Sequence, residues 1–554
     1  MSSVVSRPSV TAHLAENLRT RKNETCLWFR LNGEVIEWTW NTLGHFVADF
    51  AAELRALNVE RGDKVALVAP NRFEWIVYDL AILSLGAVNV PIHNSLTGRQ
   101  MRFQIDDCRA KAVVVAGDEQ ARKLAEVGLP PGVPCASMEP TEVKLNDAPI
   151  PAMYDLCERG SRFSFVEVNP NEPATILYTS GTTGEPKGVI LSHGNLTTNA
   201  EAMVRGFQSP DVIDRRMNLL PLSHVFARTC DAYTWIVGGS ELALADTPQT
   251  ALADCATFRP TLMNAVPYFY ERVMRRLIES GKADVPGALK HLLGGRMRHC
   301  CSGSAPLPNR VAEFFAERGV LLTQGYGMTE SSPVITMNTP TVHRLGTVGP
   351  AIEGAEVRIA DDGEVLTRGP HVMLGYWNRP EATAAALEGG WLHTGDLGAL
   401  DADGFLTITG RKKELIVTTG GKKIVPSQVE AAILSDPLFK QAVVVGDARD
   451  YPTALLVPCR DALLAAIGDR AGLMDGPELF DRPEVRELVE ARLRACLVEL
   501  SPYEQVRKFA LLEQEFSVER GELTLTLKLR RPQIAANYAA QIERMYAAEK
   551  RPGA

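Results

Sequence analysis

The sequence predicts an α/β protein. Its large N-terminal part is expected to hold two doubly wound sheets and a small β-barrel or antiparallel sheet, and its remainder a separate small α+β domain. Three observations lead there. Strand-like apolar runs alternate with helix-period segments up to about residue 340, the signature of parallel sheets wound by helices. Short alternating segments separated by Asp-Gly turns follow, at about residues 340–410. The chain then turns polar and basic at Gly410-Arg411-Lys412-Lys413. The expected division is 1–410 and 411–554. A length of 554 residues fits three or four globular units at about 150 residues each.

The elements follow in order. Leu43, Phe46, Val47, Phe50, Leu54 and Leu57 fall on one helical face. Gly62-Asp63 is a turn, Val65–Ala69 a buried strand, Glu74–Leu85 a second helix, Val88–Val90 and Lys111–Val115 further strands. The pattern resumes at Ala174–Tyr178 and Met217–Leu220, which implies a second sheet. After Thr347, Glu356–Ile359 and Glu364–Thr367 alternate in polarity around Asp362-Gly363, with Asp403-Gly404 as another turn. In the last domain a strand is expected at Ala442–Val445, a helix at Arg482–Leu497 and a late strand near Phe509–Leu512.

Composition excludes several classes. Hydrophobic residues make up 45% and charged residues 23%, which is globular rather than disordered. The net charge of -8 argues against nucleic acid as a partner, because phosphate backbones select basic faces. The chain from Lys412 onward is neutral, with 21 basic and 21 acidic residues, so its clustered lysines can still meet an anionic ligand. Ten cysteines occur without a C-x-x-C pair, which favours reduced thiols and a cytoplasmic setting. The first residues lack the apolar core of a signal peptide. No run of about 18 apolar residues is present to span a bilayer, which leaves peripheral membrane contact open. Oligomeric state is not legible.

The stretch Tyr178-Thr-Ser-Gly-Thr-Thr-Gly-Glu-Pro-Lys-Gly-Val189 carries the most chemistry. Gly181, Gly184 and Gly188 let backbone N–H groups approach a ligand closely. Ser180, Thr182 and Thr183 add hydroxyl donors and Lys187 a cation, which together suit a polyphosphate. The spacing is not that of a G-x-x-x-x-G-K-[ST] loop, which counts against a P-loop kinase or ATPase. Composition alone would leave a plain Ser/Thr/Gly turn as the default.

This string resembles the adenylate-forming (AMP-binding) superfamily of acyl-CoA synthetases, luciferases and nonribosomal adenylation domains. So do Pro221-Leu-Ser-His-Val-Phe-Ala-Arg228, Ser302-Gly-Ser-Ala-Pro306, Gln324-Gly-Tyr-Gly-Met-Thr-Glu330, Trp391-Leu-His-Thr-Gly-Asp396, Gly410-Arg-Lys-Lys413 and Thr524-Leu-Thr-Leu-Lys-Leu-Arg-Arg531, in family order. The resemblance implies that Thr179 to Gly184 and Lys187 hold the phosphates. Gly303, Ser304 and Ala305 wall off adenine and the acyl carboxylate, while Tyr326 and Gly327 face adenine. Asp396 and Arg411 bind the ribose, Thr329 donates to the α-phosphate, and Glu330 ligates Mg²⁺. His224 lines the acyl-carboxylate pocket and Lys528 is the catalytic lysine. Lys413 is the hinge of a mobile C-terminal domain. The implied reaction is AMP-forming: acid plus ATP gives an acyl adenylate and pyrophosphate, and CoA then takes the acyl group. The ligands are a small-molecule fatty acid, ATP, CoA and Mg²⁺.

The segments around His224, Gly420-Gly-Lys-Lys-Ile-Val-Pro426 and Lys528 resemble the long-chain fatty acyl-CoA synthetases. Two features depart from much of the superfamily. Leu527 precedes the catalytic lysine where glycine is usual, as in the long-chain branch, and Leu525 replaces a common proline. Arg228 stands where some fatty-acid enzymes carry a gating tryptophan, so gating does not carry over, and Trp235 is expected to pack rather than line a wall. The alternatives are a ligase that loads a carrier protein, an acyl-AMP ligase, activation of an aryl or shorter acid, and a non-catalytic acyl-binding relative.

Overall fold

The computed structural model describes residues 8–152, 162–179, 186–209, 211–247, 249–467, 479–480, 482–524 and 528–547. Ser180, Gly181, Thr182, Thr183 and Gly184 therefore lie outside the described residues. The chain divides into two compact units. One comprises residues 1–358, 366–394 and 401–406, the other residues 359–365, 395–400 and 407–554.

The first unit holds both expected large sheets. The seven-stranded sheet runs in the order Gly375–Tyr376, Lys187–Ser192, Pro173–Thr179, Val88–Ile92, Lys64–Val68, Ala112–Val115, Cys135–Ser137. Its strands from Pro173–Thr179 to Cys135–Ser137 are parallel, and the other edge is antiparallel. The eight-stranded sheet runs Val334–Met337, Leu321–Gly327, His299–Ser302, Leu262–Ala265, Arg215–Asn218, Glu241–Leu244, Thr25–Leu31, Glu34–Thr39. Parallel strands buried on both faces read as short apolar runs, and Val113, Val114 and Val115 are fully buried.

The sequence reading placed no element before Leu43. The hairpin Thr25–Leu31/Glu34–Thr39 is nonetheless there, and Leu27 pairs with Leu242 in a parallel ladder. That pairing joins segments more than two hundred residues apart, so local pattern carries no trace of it. The strand expected at Met217–Leu220 begins two residues earlier, at Arg215.

At about residues 340–410 the structure has a four-stranded sheet, ordered Glu356–Ile359, Glu364–Arg368, Leu392–Leu400, Leu406–Arg411: of the two expected forms, the sheet and not the barrel. Four short strands are too few to close round a side-chain interior, for which about eight are typical.

Core packing decides two residues on which the acyl pocket was open. Trp235 is fully buried and stacks on Trp40 with ring centroids 5.4 Å apart, so it packs the core. Arg228 is 1% exposed and binds Asp79, with Nη2 2.5 Å from Oδ1. Arg228 Nη1 also donates to Thr175 Oγ1 at 2.7 Å, and Tyr233 donates to Asp79 Oδ2 at 2.9 Å. Arg228 thus anchors a buried polar cluster. Arg228→Met should leave Asp79 buried beside fewer donors. The loss expected is about 3–5 kcal/mol, read as a lowered urea midpoint, with much of it recovered in Arg228→Met/Asp79→Leu.

Taken by itself, the second unit contains the sheet Phe439–Val445, Thr453–Pro458, Lys508–Leu511 and the pair Ile416–Val417/Lys423–Ile424. Helices Pro426–Ile433, Pro483–Cys496, Arg531–Asn537 and Ala539–Tyr546 accompany them. Val429, Ile433, Leu456, Val485 and Val489 form its core, and the three elements expected here are present. Among the described residues no helix is long and apolar enough to cross a membrane. The nine described cysteines are all free.

Candidate active site

Parallel α/β sheets bind ligands beyond the carboxyl ends of their strands, and the motif residues of the first unit lie there. Thr179 ends one strand and Lys187 begins the next, directly opposite in an antiparallel register. Lys187 Nζ lies 5.2 Å over the ring of Tyr376. Tyr376 in turn donates its hydroxyl to Glu330 Oε1 at 2.8 Å. Burial and the adjacent Glu330 push the Tyr376 phenol well above its usual range, so it stays a donor. A carboxylate, an aromatic hydroxyl and a cation thus follow one another from Glu330 through Tyr376 to Lys187.

Glu330 is 7% exposed and follows Thr329 in the one-turn helix Thr329–Ser331. Its backbone carbonyl accepts from Met373 N at 2.8 Å. Asn199 holds this turn from outside: its Nδ2 donates to Ser331 O at 3.2 Å and its Oδ1 accepts from Val334 N at 2.7 Å. Asn199 belongs to the helix His193–Phe207, whose start is fixed by a reciprocal cap between Ser192 and Asn195. Asn195 Nδ2 also donates to Pro370 O and Val372 O, tying down the segment that bears Tyr376. Sequence reasoning missed Tyr376, Asn195 and Asn199. A lone amide or phenol carries no signal until its distant partner is known.

Tyr326 and Gly327 close the strand Leu321–Gly327 against Thr336 and Val334, with a bulge between them. A Cβ on Gly327 would stand 1.8 Å from Pro333 O, so no side chain fits in this turn. Gln324 bridges the strand to the neighbouring loop, donating to Ala305 O at 3.3 Å and accepting from Leu307 N at 3.3 Å. Ser304, in that loop, has φ 69, a left-handed conformation that non-glycine residues tend to keep at functional sites.

Gly303 joins this loop to the motif of His224. A Cβ on Gly303 would meet the Phe226 ring at 2.9 Å. His224 caps the short helix Val225–Ala227, its Nδ1 accepting from Phe226 N at 3.3 Å. The π-helical turn Arg228–Tyr233 follows, a rare form frequent at functional sites. Thr179, Lys187, His224, Gly303, Ser304, Ala305, Tyr326, Gly327, Thr329 and Glu330 all belong to the first unit.

The second unit carries Asp396, Arg411, Lys413 and Lys528. Asp396 is 4% exposed and forms an ion pair with Arg411 Nε at 2.8 Å, so both ribose candidates lie together. Lys412 Nζ reaches Asp362 at 2.5 Å and Glu364 at 3.1 Å. Lys413 is exposed in the turn Lys412–Glu414. Lys528 is exposed too; Thr524 N donates to Lys528 O at 2.8 Å and Lys528 N to Thr524 Oγ1 at 3.0 Å. Arg531, three residues on, pairs with Glu430 and Glu414 within the unit.

Among the described residues no three His, Cys, Asp or Glu side chains gather as a metal cage. Glu330 fits Mg²⁺ in the other way this ion is held, by one carboxylate together with substrate phosphates.

Comparison with known proteins gives the family. Residues 14–377 match the model described as AMP-binding enzyme, and residues 413–550 that of the AMP-binding enzyme C-terminal domain. The chain is 34% identical over 549 residues to the long-chain-fatty-acid–CoA ligase FadD15 of Mycobacterium bovis, covering 90% of each protein. It is 30% identical over 605 residues to the long-chain-fatty-acid–CoA ligase ACSBG2 of Gallus gallus, covering 94% of this chain and 79% of that one. Its fold resembles the crystal structure of the anthranilate CoA ligase AuaEII in complex with anthranoyl-AMP, at a TM-score of 0.81 and 22% identity over 98% of this chain and 99% of that one. With both family models matched in order, and with the motif residues of the large unit gathered at its strand ends, the chain belongs to the AMP-binding enzyme family.

Proposed function

We propose that this protein is an acid–thiol ligase that activates a fatty acid with ATP and passes it to CoA, giving acyl-CoA, AMP and pyrophosphate. The observation that carries the reading is the line from Glu330 through Tyr376 to Lys187 beside the Gly303 loop. A buried carboxylate and a cation joined through one phenol support a site for a nucleotide triphosphate and its metal ion. The two fatty-acid ligase relatives supply the substrate class.

In the first step the acid's carboxylate attacks the α-phosphorus. Anion approaches polyanion, so the barrier is largely electrostatic. Lys187 and Lys528 supply cationic charge, Thr329 donates to the α-phosphate, and His224 with the Gly303–Ala305 loop orients the carboxylate. Thr179 and the Ser180–Gly184 segment hold the phosphates. Tyr326 and Gly327 take adenine, while Asp396 and Arg411 take the ribose. Glu330 would hold Mg²⁺, which offsets charge on the phosphates when bound. In the second step the thiol attacks the acyl carbonyl and AMP leaves. Lys413 changes its backbone angles between the steps as the hinge of a mobile domain. The division we infer is 1–410 for the AMP-binding part and 411–554 for the C-terminal domain, and the boundaries of the two matched family models support it. The nine described cysteines are free and six of them buried, which favours a reducing cytoplasmic setting.

Acid-dependent release of pyrophosphate across a panel of carboxylic acids tests the reading. Apolar lining should add about 0.8 kcal/mol of binding per buried methylene. kcat/KM should therefore climb from acetate and level off at a medium or long acid. Preference for acetate or coumarate would overturn the fatty-acid assignment, and ADP as product would overturn the ligase. Mass spectrometry with CoA present separates thioester formation from loading of a carrier protein.

A further inference from the structure

Asp396 and Arg411 stand on neighbouring strands of the four-stranded sheet, Leu392–Leu400 and Leu406–Arg411, and the strand Glu364–Arg368 flanks the first of these on its other side. Glu364 opens that flanking strand directly after the Asp362-Gly363 turn. The turn is fixed at both ends: Gly398 N donates to Gly363 O at 3.1 Å, and Glu364 N donates to Asp362 Oδ1 at 3.2 Å. Glu364 is 5% exposed. A carboxylate buried so deeply stays charged only where donors surround it.

Those donors come from both sides of the ribose pair. Glu364 Oε1 accepts from Gly395 N at 2.9 Å, and Glu364 Oε2 lies 3.1 Å from Lys412 Nζ. Gly395 immediately precedes Asp396, and Lys412 immediately follows Arg411. Gly395 has φ 71, a left-handed turn that aims its N–H at Glu364 and that other residues adopt with strain. Lys412 Nζ also pairs with Asp362 Oδ2 at 2.5 Å, and Asp396 meets Arg411 Nε at 2.8 Å. All of these residues belong to the second unit. One carboxylate therefore fixes two backbone segments, each one residue away from a ribose candidate, through charge-assisted bonds that are strong in a buried site.

We infer that Glu364, together with Lys412, positions the ribose site: the pair sets the spacing of Asp396 and Arg411, and with it how strictly the protein demands the ribose hydroxyls of its nucleotide. The inference rests on the reading above of Asp396 and Arg411 as the ribose residues. Glu364 and Lys412 are positioning residues, acting through their neighbours and not on the nucleotide. Two carboxylates in one small sheet thus have separate tasks. Asp396 accepts from the ribose, and Glu364 holds the frame on which Asp396 and Arg411 stand.

The test compares ATP with 2′,3′-dideoxy-ATP by kcat/KM for pyrophosphate release driven by one fatty acid. The unaltered protein should prefer ATP by about 10²-fold or more, because the analogue leaves the buried Asp396 without its ribose partners. Asp396→Ala should bring the two nucleotides close to parity. Glu364→Gln keeps the volume and removes the charge that faces Lys412, while Lys412→Met breaks the same link from the other side. Each should cut the preference by about tenfold and leave the KM for the fatty acid unchanged. The double variant should cut it no further than either single one, as for two residues joined in one link. A ratio between two nucleotides on one variant does not depend on how much of that variant is folded. A preference kept by either single variant but lost in Asp396→Ala would overturn the inference and leave the ribose reading standing. A double variant whose loss is the product of the two single losses would mean that the residues act separately, and would overturn it as well. If Asp396→Ala keeps the preference or the unaltered protein has none, the ribose reading falls and this inference with it.

Discussion

Lys528→Ala should lower acyl-adenylate formation by about 10²–10³-fold, the loss expected when one aimed donor is removed from a developing anion. It should still convert synthetic acyl adenylate and CoA into thioester at a rate near that of the unaltered protein. The structure makes this a chemical test and not a folding one. Lys528 is exposed, its backbone is held by Thr524 N and Thr524 Oγ1, and Arg531 nearby clamps Glu430, with Nη2 2.6 Å from Oε2. Lys413→Pro should give the opposite pattern, with adenylation retained and thioester formation lost. Proline fixes φ near about −65° in the turn that Lys412 secures to Asp362 and Glu364. Pyrophosphate exchange reads the first half-reaction and thioester release from synthetic adenylate the second. Equal slowing of both by both variants would refute separate roles for the two lysines.

Glu330→Gln is expected to cost a comparable factor, about 10³-fold in the first half-reaction, because a bound metal ion contributes several kcal/mol of transition-state charge stabilisation. The substitution keeps volume and an acceptor for the Tyr376 hydroxyl 2.8 Å away, so the buried turn should stand while its charge is lost. Tyr376→Phe separates orientation from charge. It removes the donor but not the carboxylate, and should raise the Mg²⁺ concentration needed for half-maximal rate by about tenfold, as typically follows loss of a group that orients a metal ligand. A Glu330→Gln protein with unchanged Mg²⁺ dependence and rate would remove Glu330 from the metal site.

How much of this was legible in the chain differs from feature to feature. The nucleotide motifs are contiguous strings of a few residues, so Gly303, Tyr326, Glu330, Asp396 and Lys528 could be singled out without any structure. The strands from Lys64 to Val115 were equally readable, since each is a run of apolar residues between turns and its hydrophobic period is local. The fatty-acid ligase branch was legible as well, in the segments around His224, Gly420 and Lys528. Arg228 marks the boundary of this reach. Its place in a motif suggested the acyl pocket, yet only the fold brings Asp79, Thr175 and Tyr233 around it and makes it an anchor.

Sequence alone determined the family, the order of its motifs and the alternation of strands and helices, because each of these is written in neighbouring residues. Tertiary structure decided that residues 25–39 pair into the far edge of the second sheet, that four strands stay an open sheet, and that Tyr376 and Asn199 hold the Glu330 turn. Those outcomes depend on which distant groups share a buried, low-dielectric space. There an unpartnered donor or acceptor is costly, and partners brought together from hundreds of residues apart leave no periodicity in the chain that joins them.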